Sequence, residues 1–474
     1  MTFIKNLLSG SLLFRWLTAA SEFLDRQWEK SWLSAVLSEQ KERTEDGSIF
    51  PRLLRQLHLL LCRLFRLIHL DSLLEGSVFR NAFLWSALAA AVTPLVPTMW
   101  ALAAVLAAYG ALFLDLGANK SLTLPYSPEN KWILGYAFVY AFSTFFSPNR
   151  AGNLRGAALT VVFVLFALVL FMSLRSKRQI KALTSLLVLA GFAVSLYGIW
   201  QVFSGAENLG NWVDSGTSEE IGLRVYSTLE NPNVLAEYLI LIIPLAVASV
   251  INAETPNGRL AAVIAAGAMT VVMVLTYSRG GWLGLIFAAA LFLVMLDRRF
   301  IVVGLIGAVA LLFVLPQSIT SRLFSIGNLA DSSLNYRSSI WMGTLRMLQD
   351  YWLSGIGTGS ANFKLIYPLY SYHAAVAEHS HCLYLQVIAE NGIVGLFVFL
   401  GLLVSALRNM ATQIRRSTDK KRRIALMAVL SGLGGFLVQS FVEHSFYNYR
   451  VQLMFWIVLA LGMALANRKE AAED

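Results

Sequence analysis

Charge is what this sequence has least of. Only 14% of its 474 residues are Asp, Glu, Lys or Arg, where a soluble domain carries about a quarter. With 57% hydrophobic residues and a mean hydropathy of +0.61, that scarcity excludes an ordinary soluble enzyme and points to a polytopic membrane protein. Cysteine is almost missing too. Cys62 and Cys382 are the two present, with no C-x-x-C and no Cys/His spacing of a zinc site. No carboxylate pair or D-x-D motif stands out, so neither a metal nor a cofactor is expected. There is no internal repeat or low-complexity tract. The apolar run Leu7 to Phe14 carries Ser and Gly and is broken by Arg15, which makes a poor signal peptide.

What is there is a series of apolar windows. A hydrocarbon core about 30 Å thick needs roughly 16 to 22 apolar residues per helix, and about twelve windows qualify, centred near 89, 107, 140, 164, 192, 242, 267, 289, 308, 399, 433 and 459. The first two form a hairpin turning at Pro94 and Pro97. The fold class is therefore all-α, a polytopic membrane protein with one large extracytoplasmic loop between spans nine and ten.

The net charge of +10 sorts to one side when the spans alternate. Arg175, Lys177, Arg178 and Lys181 lie between spans four and five, and Arg298 and Arg299 follow span eight. Arg408, Arg415, Arg416 and Lys420 to Arg423 join spans ten and eleven, and Arg468 and Lys469 follow span twelve. By the positive-inside rule that side is the cytoplasm, with both termini on it. The charge is thus topology, not a nucleic-acid surface, and the two cysteines fall on opposite sides of the bilayer. The other side receives an acid-leaning loop at 205–223 (Glu207, Asp214, Glu219, Glu220) and the long segment 316–391.

Four regions result. Residues 1–80 form a cytoplasmic or interfacial segment, 81–315 hold spans one to nine, 316–391 the large loop, and 392–474 spans ten to twelve and a tail. Within the first, Arg52, Arg55, Arg63 and Arg66 fall in an arc of roughly 80° on a helix. That basic amphipathic helix suits the anionic inner leaflet; packing on the bundle is the alternative. Lys41 to Asp46 reads as a link.

The polar residues that suit phosphate and hydroxyl chemistry collect on the extracytoplasmic side. Arg224 sits in G-L-R-V-Y-S-T-L-E-N-P-N, followed by Tyr226, just before span six. Arg279 sits in T-Y-S-R-G-G-W-L-G, in a tight turn. Guanidinium groups grip phosphate oxygens bidentately, and Gly280 and Gly281 would let backbone N–H groups reach an anion at a helix start. Both arginines could instead be plain flanks of spans. Arg337 lies at the edge of an apolar face made by Leu334, Trp341, Leu345, Leu348 and Trp352, so it either contacts a ligand or snorkels to headgroups. His381 falls roughly 10 Å above the core at 1.5 Å per residue, where an imidazole is tuned for general-base work; a plain interfacial histidine is the alternative. His379 is its rival, and His373 reads as loop. Glu237, inside span six, is either functional or a packed neutral group. Asn231-Pro232-Asn233 reads as a helix start. The G-x-G-x-G at 355–359 has no strand before it and is weak as a phosphate loop.

Together these pieces resemble the O-antigen ligase and polymerase superfamily of polytopic glycosyltransferases, over roughly residues 80 to 465. The resemblance rests on R-V-Y-S-T-L-E-N-P-N-V-L-A-E-Y-L, on the S-R-G turn at 278–280 and on the one large loop. Most of all it rests on His381, Cys382, nine residues and Gly392-Ile-Val-Gly395. Cys382 departs from the Asn, Ser or Gln of that pattern. The chain is also similar to a subgroup named as putative bicarbonate transporters, in T-Y-S-R-G-G-W-L-G, G-I-G-x-G and Y-P-L-Y. The resemblance implies glycan transfer from an undecaprenyl-diphosphate carrier to a glycan or lipid-glycan acceptor hydroxyl, on the outer face of the cytoplasmic membrane. Carried over, Arg224 and Arg279 clamp the diphosphate, His381 is the base, and Arg337, His379 and Tyr226 are auxiliary. The transfer is expected to invert the anomeric centre without a metal, by a monomer surrounded by membrane lipids. Repeat-unit polymerisation and anion transport are the alternatives. Transport would call for ionisable or broken-helix sites near the midplane, and Glu237 alone fits.

Overall fold

The computed structural model describes residues 49–119, 127–207, 223–297, 332–373 and 375–467, with parts of 299–324. The described residues are helical throughout, without strands. In chain order the helices are α1 (Ile49–Leu67), α2 (Ala82–Val92), α3 (Thr98–Ala118), α4 (Asn130–Phe145), α5 (Arg150–Ser173), α6 (Lys177–Phe203), α7 (Pro232–Asn252), α8 (Pro256–Leu275), α9 (Arg279–Leu296), α10 (Gln317–Phe324), α11 (Ser332–Tyr351), α12 (Ser360–Ile366), α13 (Leu383–Arg416), α14 (Lys420–Gln439) and α15 (Tyr449–Asn467); one further turn spans Leu70–Leu73.

Nine described helices (α3, α5 to α9 and α13 to α15) are long and apolar enough to cross a membrane. The chain is an all-α polytopic membrane protein. Two of the expected spans are short: α2 has 11 residues and α4 has 16, about 16 and 24 Å at 1.5 Å per residue. The expected ninth span, near residue 308, lies largely outside the described residues. So do the acid-leaning part of 208–222, the 41–46 link, Arg298, Arg468 and Lys469.

Helix starts follow local chemistry. Asn231 caps α7 by accepting from the Asn233 and Val234 N–H groups, with Pro232 at the first helical position. Thr255 and Pro256 do the same for α8, and Ser176 with Gln179 makes a capping box on α6. The centre of the bundle is α15, whose side chains from Val451 to Ala466 are buried, flanked by α5 and α14. Small residues set the closest contacts. A Cβ on Gly435 would stand 2.4 Å from the Gly284 carbonyl oxygen, so α9 and α14 meet backbone to backbone.

Successive spans alternate in direction, and this separates two ends. Arg175, Lys177, Lys181, Arg415, Lys420 and Lys421 gather at one, the basic end. The connections at 146–149, 276–278 and 440–448 and the docked segment 332–382 lie at the other. Cys62 and Cys382 are free and buried at opposite ends. Helix α1 packs on the basic end, as the alternative reading had it. His58, Cys62 and Phe65 are buried, His58 Nε2 is 3.0 Å from the Leu116 carbonyl, and Phe65 meets Phe113 edge-on. Leu60, Leu64 and Leu67 are left exposed.

Candidate functional site

The segment between the expected spans nine and ten docks through backbone contacts that only glycine permits. The Ile356 and Gly357 N–H groups donate to the carbonyls of Ala389 and Glu390, at 2.7 and 3.1 Å, and Ile393 N–H donates to Trp352 at 2.8 Å. Gly355, Gly357, Gly359 and Gly392 all have positive φ. A Cβ on Gly392 would stand 2.0 Å from the Leu353 carbonyl oxygen, and one on Gly355 2.5 Å from that of Glu390. The glycines of 355–359 therefore serve close backbone approach, and their amides bond protein oxygens. The α13 helix is broken at Gly392, just where the docked segment meets it.

Helix α11 packs on this segment through a second apolar face, largely distinct from the one expected at the membrane interface. Ile340, Met347 and Leu348 are buried with Phe363 and Tyr367, whereas Leu345 and Trp352 are exposed. The helix had two apolar surfaces to choose from, and its inner one is the core of the segment itself.

His381 sits immediately before the start of α13, in a left-handed conformation (φ 48°). Its backbone is held from both sides: its N–H donates to His379 Nδ1 at 3.3 Å, and Trp341 Nε1 donates to its carbonyl at 3.4 Å. The next helical N–H, on Leu383, donates to the Ser440 and Glu443 carbonyls, which fixes α13 to the turn between α14 and α15. That turn delivers Glu443, buried, with one carboxylate oxygen 2.9 Å from His381 Nδ1 and the other 3.1 Å from an Arg337 nitrogen. Burial alone would raise the Glu443 carboxyl, but the Arg337 guanidinium and the His381 ring outweigh it and hold it well below the usual carboxylate range. An ionised carboxylate on Nδ1 keeps the proton there and leaves Nε2 as the basic nitrogen. Arg337 is thus engaged by Glu443, which tells against simple snorkelling.

His379 is in contact with this pair but in another state. Its ring stacks on Tyr447 (5.0 Å, 18°) and lies 4.3 Å from the His381 ring and 5.4 Å from that of His444. Burial, and then the neighbouring His381, push its imidazole down to about 4, although its edge keeps some accessible surface. Burial also drives His444 well below the ordinary histidine value. Glu237, fully buried in α7, has neither carboxylate oxygen hydrogen-bonded.

Arg224, before α7, joins the site through polar contacts. Arg224 is buried; its Nε donates to the Thr276 carbonyl and an Nη to Asn233 Oδ1, each at 3.1 Å. Asn233 is tied to Asn231, whose side chain donates to the Tyr447 hydroxyl at 2.9 Å, and Tyr447 carries His379. Arg279 is the first residue of α9, after the Ser278 cap, and a Cβ on the adjacent Gly280 would meet Val442 at 3.1 Å, beside Glu443. Tyr226 lies further out and donates to the Glu207 carbonyl. Ser227, Glu230 and Tyr277, like His381, have positive φ, so left-handed non-glycine backbone concentrates in these segments. His373 shares that conformation but stacks on Tyr372.

Residues 264–400 match the family model described as O-antigen ligase. The match supports the O-antigen ligase superfamily for this chain and, with it, a membrane glycosyltransferase of the ligase and polymerase group. It takes in Arg279, Arg337, His379 and His381 and ends before Glu443. No curated protein matches the chain.

Two site features escaped sequence reasoning. One is Glu443; its only signal was an acid beside a histidine in the short turn at 440–448. The other is Arg450, which donates to the Thr228 carbonyl at 2.7 Å and pairs with Glu230, steadying the segment after Arg224. The ligand atoms of His379, His381 and Glu443 lie within 4.8 Å of one another, a set able to hold a metal ion that linear spacing hid. Arg337 against the same carboxylate supplies a positive charge there already.

Proposed function

We propose that the chain is an O-antigen ligase-like glycosyltransferase. It moves a glycan from an undecaprenyl-diphosphate carrier to an acceptor hydroxyl, with the basic end in the cytoplasm and the His381 end outside. The observation that carries this is the 2.9 Å contact between His381 Nδ1 and Glu443, set among three arginines from distant segments. Glu443 orients the imidazole, and Nε2 takes the proton of the acceptor hydroxyl as its oxygen attacks the anomeric carbon. The bond from that carbon to the diphosphate oxygen breaks, and its electron pair leaves with the diphosphate. Arg224 and Arg279 neutralise the developing charge, Arg337 keeps Glu443 ionised, and attack opposite the leaving group inverts the centre. Proton removal contributes on the order of 10²- to 10⁴-fold.

The chemistry needs no metal: the donor is preactivated and guanidinium groups stand where a cation would. His379, His381 and Glu443 make Zn²⁺ an inhibitor by drawing on the base itself. The test is purified protein with undecaprenyl-diphosphate glycan and a glycan acceptor. His381→Ala should abolish turnover while donor binding persists, Arg224→Ala and Arg279→Ala should weaken donor binding, and EDTA should leave turnover intact. Full turnover by His381→Ala, or unchanged donor affinity in both arginine variants, would overturn the assignment. A glycan mass profile from a deletion strain separates lost chain attachment, the ligase outcome, from single-repeat products, the polymerase outcome.

A further inference from the structure

The basic end holds a cavity of about 1280 Å³ between the starts of α6, α8 and α14 and the ends of α7 and α15. Small-molecule pockets run to roughly 300–1,000 Å³, so this one is sized for something larger. Its deep walls are apolar, with Val188, Phe192, Leu245, Ala265, Leu461 and Leu465 among them. Its mouth carries Lys177, Lys181, Lys421 and Arg422 against the carboxylates Glu254 and Asp419. Glu254 bridges Lys181 and Lys421, at 3.0 and 2.6 Å, and Asp419 caps α14, so the mouth keeps a surplus of positive charge. Three helices begin there, at Lys177, Pro256 and Lys420, against two that end there, at Asn252 and Asn467, so the balance of their dipoles is weakly positive.

We propose that this cavity binds an anionic phospholipid of the leaflet at the basic end, its acyl chain along the apolar wall and its phosphate among the lysines. Bilayer hydrocarbon solvates a lipid tail as well as a protein groove does, so the tail gives no preference for this place. Selectivity comes from the headgroup, and basic pockets between membrane helices are suited to anionic ones. The site is at the opposite end from His381 and does not depend on the glycosyltransferase reading.

Native mass spectrometry of the full chain, released from nanodiscs of equal phosphatidylglycerol and phosphatidylcholine, tests it. The protein should retain phosphatidylglycerol about tenfold over phosphatidylcholine, and the preference should weaken in 1 M salt, where charges are screened within about 3 Å. The triple variant Lys177→Ala/Lys181→Ala/Lys421→Ala should lose most of the preference. Ala261→Trp, which fills the cavity and leaves the lysines in place, should lower retention of both lipids. Equal retention of the two lipids by the unaltered protein overturns the proposal, as does retention unchanged in both variants.

Discussion

The two ends of this bundle use charge in opposite ways. At the basic end Glu254 sits between Lys181 and Lys421, and all three side chains are more than half exposed. Those lysines hold the carboxyl down to about 2, yet solvent and salt screen such pairs and they add little to stability. At the other end Glu443 is buried beneath Arg337 and His381, residues 106 and 62 positions away in the chain. An exposed charge tells which side a loop is on. A buried one, joined across distant segments and flanked by left-handed backbone, marks the candidate site.

The comparison breaks first, and most severely, at Glu443. Glu443→Gln keeps the shape and removes the charge, so turnover should fall on the order of 10²-fold while donor affinity holds. Unchanged turnover would reduce the pair to a structural contact. Gly392→Ala comes next. It forces a side chain into φ 64° and onto the Leu353 carbonyl, a strain of about 1–3 kcal/mol from the backbone alone, visible as a lower melting temperature in detergent.

The pH dependence sharpens the contrast further. His379 titrates at about 4 in the fold against 6.5 ordinarily, so the folded protein resists a proton that the unfolded chain accepts. Stability is full above about 6.5 and erodes as pH falls toward 4. His444 adds in the same direction, and Glu443, whose value is depressed, adds its own loss at still lower pH. His379→Phe should keep the stack on Tyr447 and lessen the slope between pH 6.5 and 4; an identical slope would mean that its burial plays no part. Smallest of all, Glu254→Gln should leave both melting and turnover essentially where they were.

Much of this was legible in the sequence because membranes restrict what a chain can be. The alternation of spans followed from hydropathy and lysine and arginine placement, and the α7 start from Asn231-Pro232. Arg224 and Arg279 were visible as polar residues beside apolar runs, and His381 as one near the end of the long polar segment. Glu443 was not, because nothing in F-V-E-H-S specifies that this turn folds beneath His381. The inner face of α11 was missed for a related reason. Leu345 and Trp352 are as apolar as Ile340 and Met347, and only the docked segment decides which of them is covered. The G-x-G-x-G was similarly ambiguous, since close backbone packing and phosphate cradling ask for the same residue.

The break in α13 at Gly392 carries a consequence for assembly. The Ile393 amide, which an unbroken helix would satisfy from within, takes its partner from Trp352, on the segment docked before it. That span and the outer segment therefore mature together. His381 meets Glu443 only once the turn between α14 and α15, late in the chain, has packed against the start of α13.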